Sequence, residues 1–320
     1  MTLYPLKLSP VCKEAIWGGN TLKEKYNKIA DIENLAESWE LTVRADGMSV
    51  IENGAFSGVP LEQYIIEHGN DVIAKGFDGD RFPLLLKLID AAAPLSVQVH
   101  PDDAYSLSNE GELGKTEMWY VLKAKEGAKL VYGLKEGHDS ATMAQAIENG
   151  RVEDELNYVD VHEGDVFFIP SGLVHAIGEG IVIAELQQNS NITYRVYDYG
   201  RIGKDGRPRE LHVKKSLDVI KPYSEEQISR IRFECGYDNE TLAACKYFCA
   251  KKIDVGCERE IEVRDGFVSL LCLDGECGII HNGISYEMKK GDSYFLPAGL
   301  GKCVIRGSAT LFVSSLPENS

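Results

Sequence analysis

Between Pro94 and Pro101 the chain reads Leu-Ser-Val-Gln-Val-His, with apolar and polar residues alternating one by one. Residues two apart in a strand share a face. Leu95, Val97 and Val99 are therefore expected to point into a core, and Ser96, Gln98 and His100 into a cavity. Residues 43–50 and 81–99 read as strand-rich, and 117–122 and 129–133 as paired strands. Residues 61–74 carry apolar positions at helical spacing, interrupted by Gly69. Pro101-Asp102-Asp103 marks the start of a short helix, with proline and acids where helix N-termini favour them. Residues 141–155 read as a helix inserted between strands.

One pattern occurs twice. Gly164-Asp165-Val166-Phe167-Phe168-Ile169-Pro170-Ser171-Gly172-Leu173 returns as Gly291-Asp292-Ser293-Tyr294-Phe295-Leu296-Pro297-Ala298-Gly299-Leu300. Each unit is a Gly-Asp turn, an aromatic-rich strand and a Pro-x-Gly turn. The unit resembles the second motif of the cupin superfamily. The expected fold is mainly β with helical insertions, in two cupin-type jelly-roll barrels. The expected domains are residues 1–230, catalytic, and 231–320, a metal-free cupin-like β domain, with the linker near 221–234. The second copy has Lys302 where the first has His175, and His281 is its lone histidine.

Composition narrows the possible partners. A formal net charge of −16 repels nucleic acid and anionic membranes, so neither is expected, and any local basic cluster becomes informative. No apolar run is long enough to span a bilayer. The first residues lack a signal-peptide pattern, so a cytoplasmic location is expected. Eight cysteines, seven of them beyond residue 230 and none in a Cys-x-x-Cys pair, are expected to be free thiols. Cys245 and Cys249 are spaced to share a helix face.

The candidate chemistry lies in four residues. Gln98 and His100 share a strand face, Glu117 follows in Lys-Thr-Glu-Met-Trp, and His175 stands five residues after Pro170. Two imidazoles, a carboxylate and an amide oxygen can hold one divalent cation and leave a position open for substrate. Zinc, manganese, cobalt and iron all suit such donors. Lys87 stands inside the apolar run Leu-Leu-Leu-Lys-Leu-Ile, where an unpaired ammonium would be costly to bury.

The stretches Ile16-Trp17-Gly18-Gly19, Ala36-Glu37-Ser38-Trp39-Glu40, Pro94 to Asp102, Gly114 to Trp119, Gly172 to Ala176 and Asn189 to Arg195 together resemble the type I mannose-6-phosphate isomerases (phosphomannose isomerases) of the short bacterial kind. The resemblance implies interconversion of mannose 6-phosphate and fructose 6-phosphate, with a sugar phosphate as substrate; the oligomeric state is left open. It implies one Zn²⁺ per chain on Gln98, His100, Glu117 and His175. Arg195 corresponds to the family's active-site arginine, suited to the phosphate or to an enediolate. Lys87 and Ser96 match the lysine and serine near the phosphate. For the catalytic base, Lys115 and then Glu185 are the candidates. Asn191 and Ile177 depart from an acid and a tyrosine found in some members. Two other readings compete: an iron-using cupin dioxygenase, and a sugar-binding regulator or storage cupin. Gln98 and the basic candidates favour the isomerase, and no basic helix-turn-helix is present to serve a regulator.

Overall fold

The computed structural model describes residues 3–203 and 206–317. Within them the chain is mainly β, arranged in antiparallel sheets of nine, six, five and two strands. The six-stranded sheet runs Val166–Ile169, Glu117–Ala124, Ile181–Gln188, Leu84–Ala91, Leu35–Leu41, Val11–Gly19. The five-stranded sheet runs Leu156–Asp160, Lys129–Leu134, His175–Ala176, Val97–Val99, Tyr194–Tyr197. Strand Leu84–Ala91 is buried along its whole length, so it reads as a nearly unbroken apolar run rather than an alternation.

Both outer faces of this pair of sheets are covered. Val97 and Val99 pack with Met143 of helix Ser140–Glu148 and Val219 of helix Val213–Val219. Leu84, Leu86 and Leu88 belong to a larger core that reaches Phe295 and Phe312 of the nine-stranded sheet and Phe267 just before its strand Val268–His281. Phe82, Phe267 and Phe295 form a ring cluster there, with centroids 5.1–6.2 Å apart. The nine-stranded sheet is built mostly from strands after residue 240. It also takes in Leu6–Ser9, which pairs with Ser293–Leu296, and Val50–Ile51 beside it.

The repeat holds down to individual hydrogen bonds. Gly164 and Gly291 have φ of 90° and 88°, and Gly172 and Gly299 of 94° and 78°, conformations that favour glycine. The Asp165 carboxylate accepts the His162 N–H at 2.7 Å, and Asp292 accepts that of Lys289 at 2.9 Å. Leu173 N–H donates to Pro170 O and Leu300 N–H to Pro297 O, both at 3.1 Å.

Several local expectations are corrected. The helix from residue 61 stops at His68, because Gly69 takes φ 81° and leads into a 3₁₀ turn. The inserted helix stops at Glu148 for the same reason at Gly150, φ 66°. Strands Glu117–Ala124 and Lys129–Leu134 are not paired: the turn at Gly127 carries the chain from one sheet into the facing one. Part of the expected linker, Glu225–Arg232, is a helix with a capping box between Ser224 and Gln227. Cys245 and Cys249 lie in a β-hairpin rather than on a helix. No disulfide links any of the eight cysteines. Leu95 precedes strand Val97–Val99 and is buried in the larger core, at the cavity's edge, whereas Val97 and Val99 belong to a second cluster.

Candidate active site

Register places the residues. On the five-stranded sheet Gln98 lies directly opposite both His175 and Arg195. Directly opposed residues point to the same face, so His175, Gln98 and Arg195 form one row across three strands. On the six-stranded sheet, Trp119, Glu185, Lys87 and Trp39 form a second row. Glu117 precedes Trp119 by two residues on the same face. The two rows face each other across a cavity of about 320 Å³, lined by Lys87, Ser96, Gln98, Lys115, Glu185 and Arg195 among others.

At one end of the cavity His100, Glu117 and His175 converge, all fully buried, with ligand atoms within 4.8 Å of one another. His100 Nδ1 donates to Ile192 O at 2.9 Å and His175 Nδ1 to Leu173 O at 2.8 Å. These bonds fix the tautomers and leave each Nε2 with a bare lone pair. The two Nε2 atoms lie 3.1 Å apart, and 3.6 and 3.4 Å from the Glu117 carboxylate. Burial lowers both imidazoles, His100 well below the ordinary value and His175 to about 4, so neither carries a compensating proton at neutral pH. Burial, with the Glu185 charge, pushes Glu117 up to about 7. Lys115 Nζ lies 2.9 Å from Glu117 Oε2 as an ion pair, yet neither Glu117 oxygen has a hydrogen-bond partner of good geometry. Two bare imidazole nitrogens pressed together beside a carboxylate with no hydrogen-bond partner fit a divalent cation. Gln98, in register with His175, lies on the same face.

Local structure holds these groups in place. Gly172 N–H donates to His100 O at 2.8 Å, tying the Pro-x-Gly turn to the strand before Pro101. Gly114 passes so close to Asp102 that a Cβ there would stand 2.4 Å from its carbonyl carbon. Asp103 Oδ1 accepts Gly114 N–H and Gln188 Nε2, both at 2.9 Å, while Gln188 Oε1 accepts Thr116 N–H at 2.9 Å. Asp102 is the helix N-cap, accepting Tyr105 N–H. The two acids at this helix start thus fix the loop that carries Lys115 and Glu117.

In the second row, Lys87 Nζ lies 3.3 Å from Glu185 Oε2 and 3.4 Å from Glu37 Oε2. Trp119 Nε1 donates to Glu185 at 2.9 Å, and Trp39 Nε1 to Glu37 at 2.6 Å. Burial alone would lower Lys87, but Glu37, Glu185 and Glu117 push it up to about 12. Despite burial, Lys115 and Lys87 hold Glu185 below the usual carboxylate range. The Lys87 charge is thus already matched by two carboxylates. Arg195 differs: Nε donates to Ser96 Oγ at 3.3 Å and Nη1 to Glu210 O at 2.7 Å, and it has no ion-pair partner among the described residues.

All nine residues singled out from the sequence lie at this cavity or at the cluster bordering it. Asn191 and Ile177 line it as well. Glu37 and Arg209, also lining it, were not singled out. Glu37 sits in a quoted motif two residues before Trp39, a spacing that puts both on one face. Arg209 lies in a polar loop with no periodicity to mark it.

Comparison with known proteins places the whole chain in a family. The model for the phosphomannose isomerase type I catalytic domain matches residues 5–126, and that for the mannose-6-phosphate isomerase cupin domain matches residues 238–316. Mannose-6-phosphate isomerase ManA of Bacillus subtilis is 39% identical over 322 residues, covering 99% of this chain and 100% of that protein. The mannose-6-phosphate isomerase of Streptococcus mutans is 37% identical, covering 98% and 99%. The crystal structure of a Bacillus subtilis mannose 6-phosphate isomerase superposes with a TM-score of 0.88 at 35% identity, over 97% of this chain and 99% of that one. With this likeness running from end to end, the chain belongs to the type I phosphomannose isomerase family.

Proposed function

We propose that this chain interconverts mannose 6-phosphate and fructose 6-phosphate, with one Zn²⁺ on Gln98, His100, Glu117 and His175. The observation that carries the reading is the pair of bare Nε2 atoms 3.1 Å apart beside a carboxylate without a hydrogen-bond partner. A divalent cation bound there would polarise the C1 and C2 oxygens of the sugar. The spacing of the row supports the substrate's orientation. His175 and Arg195 flank Gln98 across two strand gaps, about 10 Å, a span that an open-chain hexose phosphate can bridge. The phosphate then meets Arg195 and Ser96, and C1–C2 lies between the two sheets.

The reaction moves a proton between C1 and C2. Lys115, facing the cavity from beside Glu117, is the group we assign to take and return it. Glu185, ionised and clamped by the Trp119 indole and Lys87, is the second candidate. The sheets described above are read as two cupin barrels, residues 1–230 catalytic and 231–320 metal-free. In the latter, the lone His281 donates from Nδ1 to Lys302 O at 3.1 Å.

The test is mannose 6-phosphate turnover by the purified protein before chelation, after it, and after zinc is returned. Fructose 6-phosphate formation should vanish and come back. No turnover by folded, metallated protein would sink the assignment.

A further inference from the structure

The segment after Arg195 adds a second arginine to the cavity. Asp198, buried, accepts from Arg209 Nε at 2.7 Å through Oδ2 and from Arg209 Nη2 through Oδ1. It also accepts from Arg201 Nε at 3.1 Å. One carboxylate thus serves two guanidiniums, and Arg195 close by has no carboxylate partner of its own among the described residues. The Glu210 side chain is exposed, and it is its backbone carbonyl that Arg195 engages. Burial and the neighbouring charges of Arg209 and Arg201 both lower Arg195, as expected where guanidiniums crowd together. Arg195 and Arg209 line the same cavity. The side-on grip of Asp198 uses Nε and Nη2 of Arg209 and leaves Nη1 without a partner among the described residues. In a chain of net charge −16 this is a local cationic wall, and its surplus suits a dianion.

The loop is anchored at both ends. Tyr199 takes φ 56°, and the Arg201 guanidinium lies 5.3 Å from its ring centroid. At the far end His212 N–H donates to Arg195 O at 2.8 Å, while Arg195 N–H donates to His212 Nδ1 at 3.2 Å. Arg209 is thereby tied back to the strand that carries Arg195.

We propose that Arg209 is a second phosphate-binding guanidinium, that it sets the preference for phosphorylated over unphosphorylated aldose, and that Asp198 is the residue positioning it. This rests on the sugar-phosphate reading above. The test compares wild type, Arg209→Gln, Arg209→Lys and Asp198→Asn. It uses mannose 6-phosphate kinetics, competitive inhibition by inorganic phosphate, and thermal melting. Losing one charge-assisted contact should raise KM for Arg209→Gln by roughly tenfold or more. The inhibition constant for phosphate should rise by a similar factor, and kcat should fall less than KM rises. Arg209→Lys should recover part of the loss. Asp198→Asn should raise both constants in protein that still melts cooperatively, because it loosens the grip on Arg209. Unchanged KM and phosphate inhibition in folded Arg209→Gln, or a loss confined to kcat, would overturn the proposal. Wild type that binds inorganic phosphate but does not convert mannose 6-phosphate would sink the isomerase reading instead. Calorimetric phosphate titration of the same variants would then still decide Arg209.

Discussion

Removing the metal should leave this protein folded but measurably less stable, and His175→Ala should abolish the difference. The reasoning starts from the crowded donors. Both Nδ1 atoms are committed to backbone carbonyls, so neither ring can turn its lone pair away from the other at 3.1 Å. A bound cation converts that repulsion into ligation, and it binds the native state only. Free metal at 100 to 1,000 times Kd stabilises by ~2.7–4.1 kcal/mol. An unfolding entropy of about 2.1 cal/mol/K per residue over 320 residues turns this into a Tm shift of about 4–6 °C. The assay is calorimetric melting of protein as purified, chelated, and chelated then resupplied with zinc, with metal content measured on each sample. Wild type should lose and regain the shift. His175→Ala should melt at one temperature in all three and retain little metal. Equal Tm values for chelated and zinc-loaded wild type, with metal shown to be bound in the second, would refute the argument.

Three further outcomes follow from the geometry. In metal-free protein the folded state keeps the Glu117 proton up to about pH 7, whereas the unfolded chain releases it near 4.5. That contribution to stability is therefore present at low pH and lost as pH rises across this window. Glu117→Gln should flatten the decline in denaturant titrations run from pH 4.5 to 7. Lys87→Met leaves Glu185 buried without its nearest cation and should cost about 3–5 kcal/mol by chemical denaturation, toward the lower end because the Glu37 side chain is 21% exposed. The repeated turn gives a paired test: Gly164→Ala meets open space, while the Cβ of Gly291→Ala would stand 2.0 Å from Tyr26 O. Positive φ alone costs about 1–2 kcal/mol, so Gly291→Ala should destabilise clearly more than Gly164→Ala.

The sequence was most legible where local pattern and function coincide. Alternation around Gln98 and His100 exposed the cavity face, and the duplicated Gly-Asp and Pro-x-Gly turns marked equivalent strands in the two halves. Periodicity does not record which strand pairs with which. The strands on either side of Gly127 therefore looked like a hairpin, although they belong to opposing sheets. Lys87 stood out as a charge in an apolar run, but its two carboxylate partners come from other strands, Glu37 and Glu185, and only register brings them together. Arg209 was invisible for a similar reason. Its place at the cavity depends on Asp198, eleven residues earlier, through a loop without regular structure.

The pairing of Leu6 with Phe295 joins residues nearly the whole chain apart. During synthesis the first strand therefore emerges long before its partner exists. Its Leu6 and Leu8, both buried in the finished sheet, must stay shielded until the last quarter of the chain is made. Contacts of such sequence separation close late and slow folding. A C-terminal fragment that starts after residue 230 would leave strand Ser293–Leu296 with a bare edge open to pairing with other chains. Strand Leu6–Ser9 is thus a latch that closes only once strand Ser293–Leu296 has been made, and loss of either strand should be read out as aggregation before it is read out as lost activity.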